Sequence, residues 1–437
     1  MKRWLEQARA AVHVPAFVER RRVPLARARL SQACHADTAA PGQKQLLVDI
    51  SVIARHDART GIQRVVRAVL GQLLASAPAG YAVRPVAASR RRPYRYAAWE
   101  EAGVEADPTQ DIAIRPGDIF LGLDLAAHIV PVHRHQLAGW KARGAALHFV
   151  IYDLLPLQHP EWFPARLVVA FRRWLRAVAV LADNAICISH VVESELIDLL
   201  EHRYGLPPGC VGTRVVPMGW DVASTQPSRG LPPDFDALLS RIRQHKTTLM
   251  VGTLEPRKGH AQILDAFEQL WHSGKDYNLV IVGRPGWKTD GLQARLRRHP
   301  QGGQHLFWLD NASDEALLAL YDACDGVVNA SYGEGFGLPM IEALGRGKSV
   351  LARDLPVFRH AVHSGVEYFS AQDPGELPRV IATWLEQTTT STTQSVLAHR
   401  MPVWRDTVSA LIAGFDAAGG ESGGTGPVPE KQWLGAA

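Results

Sequence analysis

GVVNASYGEGFGLPMIEALGRGKSV, residues 326–350, reads as four pieces in a row. GVVNAS is a short apolar run of strand type. YGEGFGL is a glycine-rich loop. PMIEALG is a helix that places Pro339 where a missing N–H is not needed and that stops near Gly345 or Gly347. SVLAR (349–353) starts another strand. Strand, loop, helix and strand in that order form the unit of a parallel sheet covered by helices.

The same unit recurs on the N-terminal side. TTLMVGT (247–253), LVIVGR (279–284) and HLFWLD (305–310) are buried-strand runs followed by helical periodicity. A second series precedes them: LLVDIS (46–51), DIFLGLD (118–124), ALHFVIYD (146–153), AICIS (185–189) and RVVPMGWD (214–221). The stretch between the two, VASTQPSRGLPPDFDALL (222–239), is rich in Pro, Ser and Gly and reads as a linker. The expected fold is therefore α/β, with two doubly wound Rossmann-like domains facing across a cleft. The expected division is a basic extension (1–44), a first domain (45–221), a linker (222–245), a second domain (246–400), a last helix (401–417) and a disordered tail (418–437).

Composition agrees with two globular units. The chain has 437 residues, 46% hydrophobic and 21% charged, which is more than one ordinary core holds. Four cysteines without a C-x-x-C pair argue against a disulfide framework or a zinc site and suit a reduced, cytoplasmic protein. No apolar run is long enough to span a membrane. The first thirty residues carry one lysine and seven arginines against Glu6 and Glu19, with no apolar core of a signal peptide behind them. Such a segment is either a basic arm for anionic lipid or a solvated, partly helical extension. A nucleic-acid partner is not expected, because the basic excess is confined to this arm.

In doubly wound sheets, ligands sit beyond the carboxyl ends of the strands. Arg257 and Lys258 lie there, between a strand and a helix start, where free N–H groups and the dipole already favour an anion such as a diphosphate. In the opening stretch, Gly333, Gly335 and Gly337 leave amides open to a ligand, while Glu334 and Glu342 offer two carboxylates to hydroxyl pairs. Two other motifs fail. Lys348 in GKS follows a helix rather than opening one, with Glu342 at the position of the required glycine, and the D-x-D pair Asp234 and Asp236 lies in the linker.

Taken in order, these motifs resemble glycosyltransferase family 4, retaining enzymes of the GT-B fold that use nucleotide-sugar donors. The resemblance covers roughly residues 45–415. It rests on VGTLEPRKGH, LVIVGRPGW, FWLDNASDEALLALYDACDGVVNAS, SYGEGFGLPMIEAL and LARDLPVF, and more loosely on RTGIQRVVRAVL, VIYDLLPLQHPEWF and VVPMGWD. VWRDTVSALIAGF (403–415) resembles the last helix, which in this fold returns to the first domain.

The resemblance implies roles for individual residues. Lys258 would bind the diphosphate, with Arg257 standing in for an arginine more often found where this chain has Thr253. Glu334 would contact the donor sugar and Glu342 the ribose. The amides of Phe336, Gly337 and Leu338 would touch sugar or phosphates. Gly61 and Arg64 would face the phosphates, and Gly283 belongs to the donor-binding stretch. Many members place a histidine where this chain has Tyr152. Asp153 follows it at the strand end and is the better candidate, while His148, on the same face as Tyr152, reads as a core or edge residue. Arg359-His360 replaces a common Arg-Glu.

The implied activity is transfer of a hexose, mannose or similar, from a nucleotide-diphosphate sugar to a glycan or lipid-linked acceptor in bacterial surface polysaccharide synthesis, as in lipopolysaccharide or capsule. GDP-mannose is the first donor to test; no metal and no cofactor are implied. The expected place is the cytoplasm, peripheral at the inner face of the membrane. The rival expectations are a GT-B sugar-nucleotide epimerase and a non-catalytic nucleotide-sugar-binding protein.

Overall fold

The computed structural model describes residues 14–34, 43–107, 109–225, 227–362, 364–370, 375–388 and 401–416. The start of the basic arm and the tail from 417 onward lie outside the described residues.

The first sheet contains β1 (Lys44–Asp49), β2 (Tyr81–Ala87), β3 (Arg95–Tyr96), β4 (Ile119–Gly122), β5 (Ala146–Ile151), β6 (Asn184–Cys187) and β7 (Gly212–Val215). Its order is β3-β2-β1-β4-β5-β6-β7, parallel except for β3. The second contains β8 (Thr247–Val251), β9 (Asn278–Val282), β10 (Leu306–Leu309), β11 (Gly326–Asn329), β12 (Ser349–Arg353) and β13 (Val366–Phe369). Its order is β10-β9-β8-β11-β12-β13, all parallel. Strand order reverses beside β1 in one sheet and beside β8 in the other, and the crevices at these switch points are where doubly wound sheets bind ligands.

Alternation divides each strand between two cores. In β1, Leu46 and Val48 face one layer while Leu47 faces the other. Covering both faces explains why these strands are continuously apolar. The sequence runs above do not include β2, β3 or β13. YAVRPVA carries Pro85, which demotes it as a strand, yet it still pairs with β1 in parallel register.

Three segments differ from a simple two-domain expectation or refine it. The linker is not bare: Phe235–Ile242 is a helix whose Phe235 and Ile242 are buried in the core of the second domain. The apolar residues 235, 238, 239 and 242 have the spacing of one helix face. The helix Trp404–Asp416 sits on the first domain, with Trp404, Val408, Leu411 and Phe415 in the same core as Val65 and Val69 of the helix Gly61–Ala75. The basic extension contains the helix Ala16–Ala33, docked on the helix Ala165–Leu181. Buried Glu19 forms an ion pair with Arg203 at 2.9 Å, and Arg27 donates to the carbonyls of Val180 and Cys210. This part of the arm is a packed helix. Among the described residues, no helix is long and apolar enough to cross a membrane.

Candidate active site

The strand ends of the two sheets face each other, and glycine makes the approach possible. A Cβ on Gly335 would lie 1.8 Å from the carbonyl oxygen of Tyr152. Ser189 Oγ donates to the carbonyl of Gly335 at 2.8 Å. Gly61 faces Leu338 across the cleft at 3.6 Å, measured from where a Cβ would stand. The loop 331–338 of the second domain thus rests directly on the strand ends of the first.

After β8 the chain makes a short 3-10 turn, Pro256–Lys258, and Gly259 follows with φ of 75°. A Cβ there would come within 2.3 Å of the carbonyl of Ala330, so only glycine lets this turn pack on the end of β11. The turn aims both cations at one carboxylate. Arg257 donates to Glu334 Oε2 at 2.8 Å and to the carbonyl of Gly333 at 3.1 Å, and Lys258 Nζ reaches Glu334 Oε1 at 2.5 Å. Ser331 Oγ also donates to Glu334 Oε1, at 2.6 Å. Burial opposes the charge of Glu334, but Arg257 and Lys258 outweigh it and hold the carboxyl down to about 2.

Leu338–Gly345 is the helix that follows the loop. Gly337, with φ of 102°, is its N-cap and lies on Phe358. Among the described residues, none of the hydrogen bonds is donated by the N–H of Phe336, Gly337 or Leu338. Three amides at a helix start form a ready anion site. Glu342, 2% exposed, accepts from Arg64 and from the hydroxyl of Tyr321 at 2.9 Å. Arg64 comes from the other domain, in the first turn of the helix Gly61–Ala75, and also donates to Asp314 at 2.9 Å. Burial works against its charge, yet the two carboxylates hold its pKa above the ordinary value.

Asp153 lies on the first-domain wall of the same cleft. Its carboxylate accepts the amide of Leu155 at 3.2 Å. Burial drives its pKa up to about 6, against the pull of Arg257 and with the push of Glu334. Tyr152 points the other way: its ring is in the first-domain core and its hydroxyl donates to the carbonyl of Leu123 at 2.7 Å. It offers the cleft only its backbone. His148 is fully buried against the edge of Phe415, and burial pushes its pKa down to about 4.

One expected donor contact is placed differently. The N–H of Gly283 donates to Leu309 at 3.0 Å and its carbonyl accepts Trp308 Nε1 at 2.9 Å. A Cβ on Gly283 would lie 1.9 Å from the carbonyl of Gly252, so this glycine serves strand packing and has no amide left for a ligand. Thr253 packs its methyl under Gly286. Lys348 of the GKS motif caps the carbonyls of Asp322 and Cys324. Arg359 pairs with Asp354 at 2.6 Å.

The structure also brings in residues that motif reading missed. Glu255 accepts Arg257 Nε at 2.9 Å and fixes its guanidinium, Tyr321 fixes Glu342, and Asp314 holds Arg64. Glu255 could have been found, since it stands inside the E-P-R-K loop. Among the described residues, no group of three or more His, Cys, Asp or Glu could hold a metal ion.

Residues 239–396 match the profile of the family described as Glycosyl transferases group 1. The chain is 42% identical over 347 residues to a serotype-specific mannosyltransferase WbdA of Escherichia coli, an alignment covering 78% of this chain and 41% of that protein. Residues 239–396 carry a group 1 glycosyltransferase domain. The chain spans about two fifths of the length of the WbdA relatives it matches, 41% to 43%. To the O-antigen chain mannosyltransferase B of Escherichia coli it is 28% identical over 47% of this chain and 52% of that one.

Solved structures show that the fold is GT-B. Anabaena Alr3699/HepE in complex with UDP and glucose superposes with a TM-score of 0.60 at 18% identity, covering 86% of this chain and 100% of that one. WaaG, a glycosyltransferase involved in lipopolysaccharide biosynthesis, superposes with a TM-score of 0.55 at 14% identity, covering 86% and 100%.

Proposed function

We propose that this chain is a retaining hexosyltransferase that moves mannose, from GDP-mannose as donor, onto a glycan or lipid-linked acceptor in bacterial surface polysaccharide synthesis. The observation that carries this reading is the meeting of Arg257, Lys258 and Glu334 beside the unpartnered amides of residues 336–338. Breaking the bond between a sugar and a nucleoside diphosphate develops negative charge on the leaving phosphate and positive charge on the sugar. The two cations and the amides suit the first, and Glu334 suits the hydroxyls of the second. Because these groups are already oriented, they stabilise the transition state without reorganising. Glu342 would take the ribose, and Asp153 faces the acceptor side. Contact between the two domains excludes water from the reacting carbon and so limits hydrolysis of the donor. The reaction needs no metal and no cofactor.

On the same reading the reaction takes place on the cytoplasmic side of the membrane. Arg20, Arg21, Arg22 and Arg29, on the outer side of the docked helix, would meet anionic headgroups.

The test is thermal stabilisation by a panel of nucleotides and nucleotide sugars without metal, followed by transfer assays with the donor that binds. A donor at a hundred times its Kd should stabilise by about 2.7 kcal/mol, and Lys258→Ala should abolish the shift. Sugar-nucleotide interconversion without acceptor would favour an epimerase instead. Binding without turnover on any acceptor would favour a non-catalytic scaffold.

A further inference from the structure

Arg64 has two carboxylate partners, and they are not equivalent. Glu342 is the group expected to receive the donor ribose, so a bound donor competes with Arg64 for it. Asp314 has no such competitor. It is buried, at 6% exposure, and its position is fixed from a third side. One oxygen takes Arg64 at 2.9 Å; the other accepts both the amide and the hydroxyl of Ser228 at 2.9 Å. Ser228 belongs to the interdomain linker and in turn accepts the amide of Asp314 at 2.9 Å. The next residue repeats the tie: Glu315 Oε2 accepts the amide of Gly230 at 2.7 Å. Asp314 is therefore a junction of the first domain, the linker and the second domain.

A cation in the first turn of a helix is opposed by the positive end of the dipole. Arg64 keeps this place because carboxylates face it. When one of the two is taken by ribose, the other must hold the side chain in the cleft.

We propose that Asp314 is a positioning residue for the transferase reaction: it is the permanent anchor of Arg64, which leaves Glu342 when the donor binds and pivots on Asp314 to meet the diphosphate. The proposal rests on the donor-site reading above. Its consequence has an unusual sign. Removing a carboxylate beside an anion site should, by charge alone, strengthen anion binding. If Asp314 acts through Arg64, its neutral variant should instead weaken it.

The experiment measures binding of GDP and of guanosine, by calorimetry and by ligand-observed NMR, to wild type, Asp314→Asn, Arg64→Ala and the double variant. Asp314→Asn keeps an oxygen for Ser228, so the linker tie is retained. The expected result is a loss of roughly tenfold in GDP affinity in each single variant, little change for guanosine, and a double variant no worse than Arg64→Ala alone. Equal losses for GDP and guanosine, or additive losses in the double variant, would mean a merely structural role and overturn the proposal. Tighter GDP binding in Asp314→Asn would overturn it as well. Failure of wild type to bind GDP, GDP-mannose or any other nucleoside diphosphate would overturn the donor-site reading itself, and this inference with it.

Discussion

Glu334 and Asp153 are carboxylates at the same cleft, one contributed by each domain, and their environments are opposite. Glu334 is clasped by Arg257, Lys258 and Ser331, all from its own domain, and its pKa falls to about 2. Asp153 has the single amide of Leu155, and its pKa rises to about 6. Desolvation acts on both; the difference is the presence of cations within hydrogen-bond reach. One wall of the cleft is a finished electrostatic site, charged at any physiological pH. The other carries a group that titrates close to neutrality. On the proposed reading, binding and stabilisation of phosphate fall to the first, and proton-sensitive steps to the second.

The largest effect should come from damaging the finished wall. Lys258→Ala removes a preorganised cation and leaves Glu334 one partner short. A fall in kcat of about 10²–10³ is expected, measured with the donor found by thermal stabilisation. A loss of less than threefold would mean that the cluster is a structural ion-pair network and not the phosphate site.

The second effect separates the two carboxylates by the sign of their pH dependence. Glu334 has a folded pKa of about 2 against an ordinary 4.5. Its stabilisation is present above 4.5 and is lost as pH falls toward 2, worth up to about 3 kcal/mol. Glu334→Gln should remove that acid loss in urea titrations at pH 3 to 7. Asp153 has a folded pKa of about 6 against an ordinary 3.8. Its protonated form is favoured in the folded state, so its contribution is present below 3.8 and is lost as pH rises through 6. Asp153→Asn should therefore gain stability relative to wild type between pH 4 and 7, by at most about 3 kcal/mol. The pH–rate profile should show an acid limb near 6 in wild type and not in Asp153→Asn. An unchanged limb in that variant would assign it to another group.

The finished wall was also the legible one. Its residues occur in two short runs, E-P-R-K-G and Y-G-E-G-F-G-L-P, each bounded by a strand and a helix, so chemistry and local structure could be read from the same few letters. Glycines 335 and 337 signalled where backbone had to pass close or turn, whereas the close approach at Gly259 emerges only in the fold. The parts that were not legible depend on separation along the chain. Asp314 reads as an ordinary acidic residue behind the N-cap Ser313, and only folding sets it against Arg64, 250 residues away. Gly283 shows the reverse: resemblance puts it in the donor-binding stretch, but its neighbours Leu309 and Trp308 use both its polar groups. The strand Tyr81–Ala87 escaped because Pro85 weakens its pattern, and the sheet supplied partners that the local rule cannot see.

The smallest effect concerns Tyr152, and it sharpens the contrast on the first-domain wall. The family resemblance sets this tyrosine at a position where a histidine near the donor sugar is expected. The fold turns its ring into the core instead, where it is 4% exposed and its hydroxyl meets the carbonyl of Leu123. What reaches the cleft is the carbonyl oxygen of Tyr152, pressed against Gly335. Tyr152→Phe should therefore leave kcat within about twofold and cost roughly 1 kcal/mol of stability, the net worth of one buried hydrogen bond. Gly335→Ala, one contact away, should do far more, because a methyl group cannot share space with that carbonyl. A large loss of kcat in Tyr152→Phe with normal stability would show that the hydroxyl visits the donor and that the first-domain wall carries a second polar group.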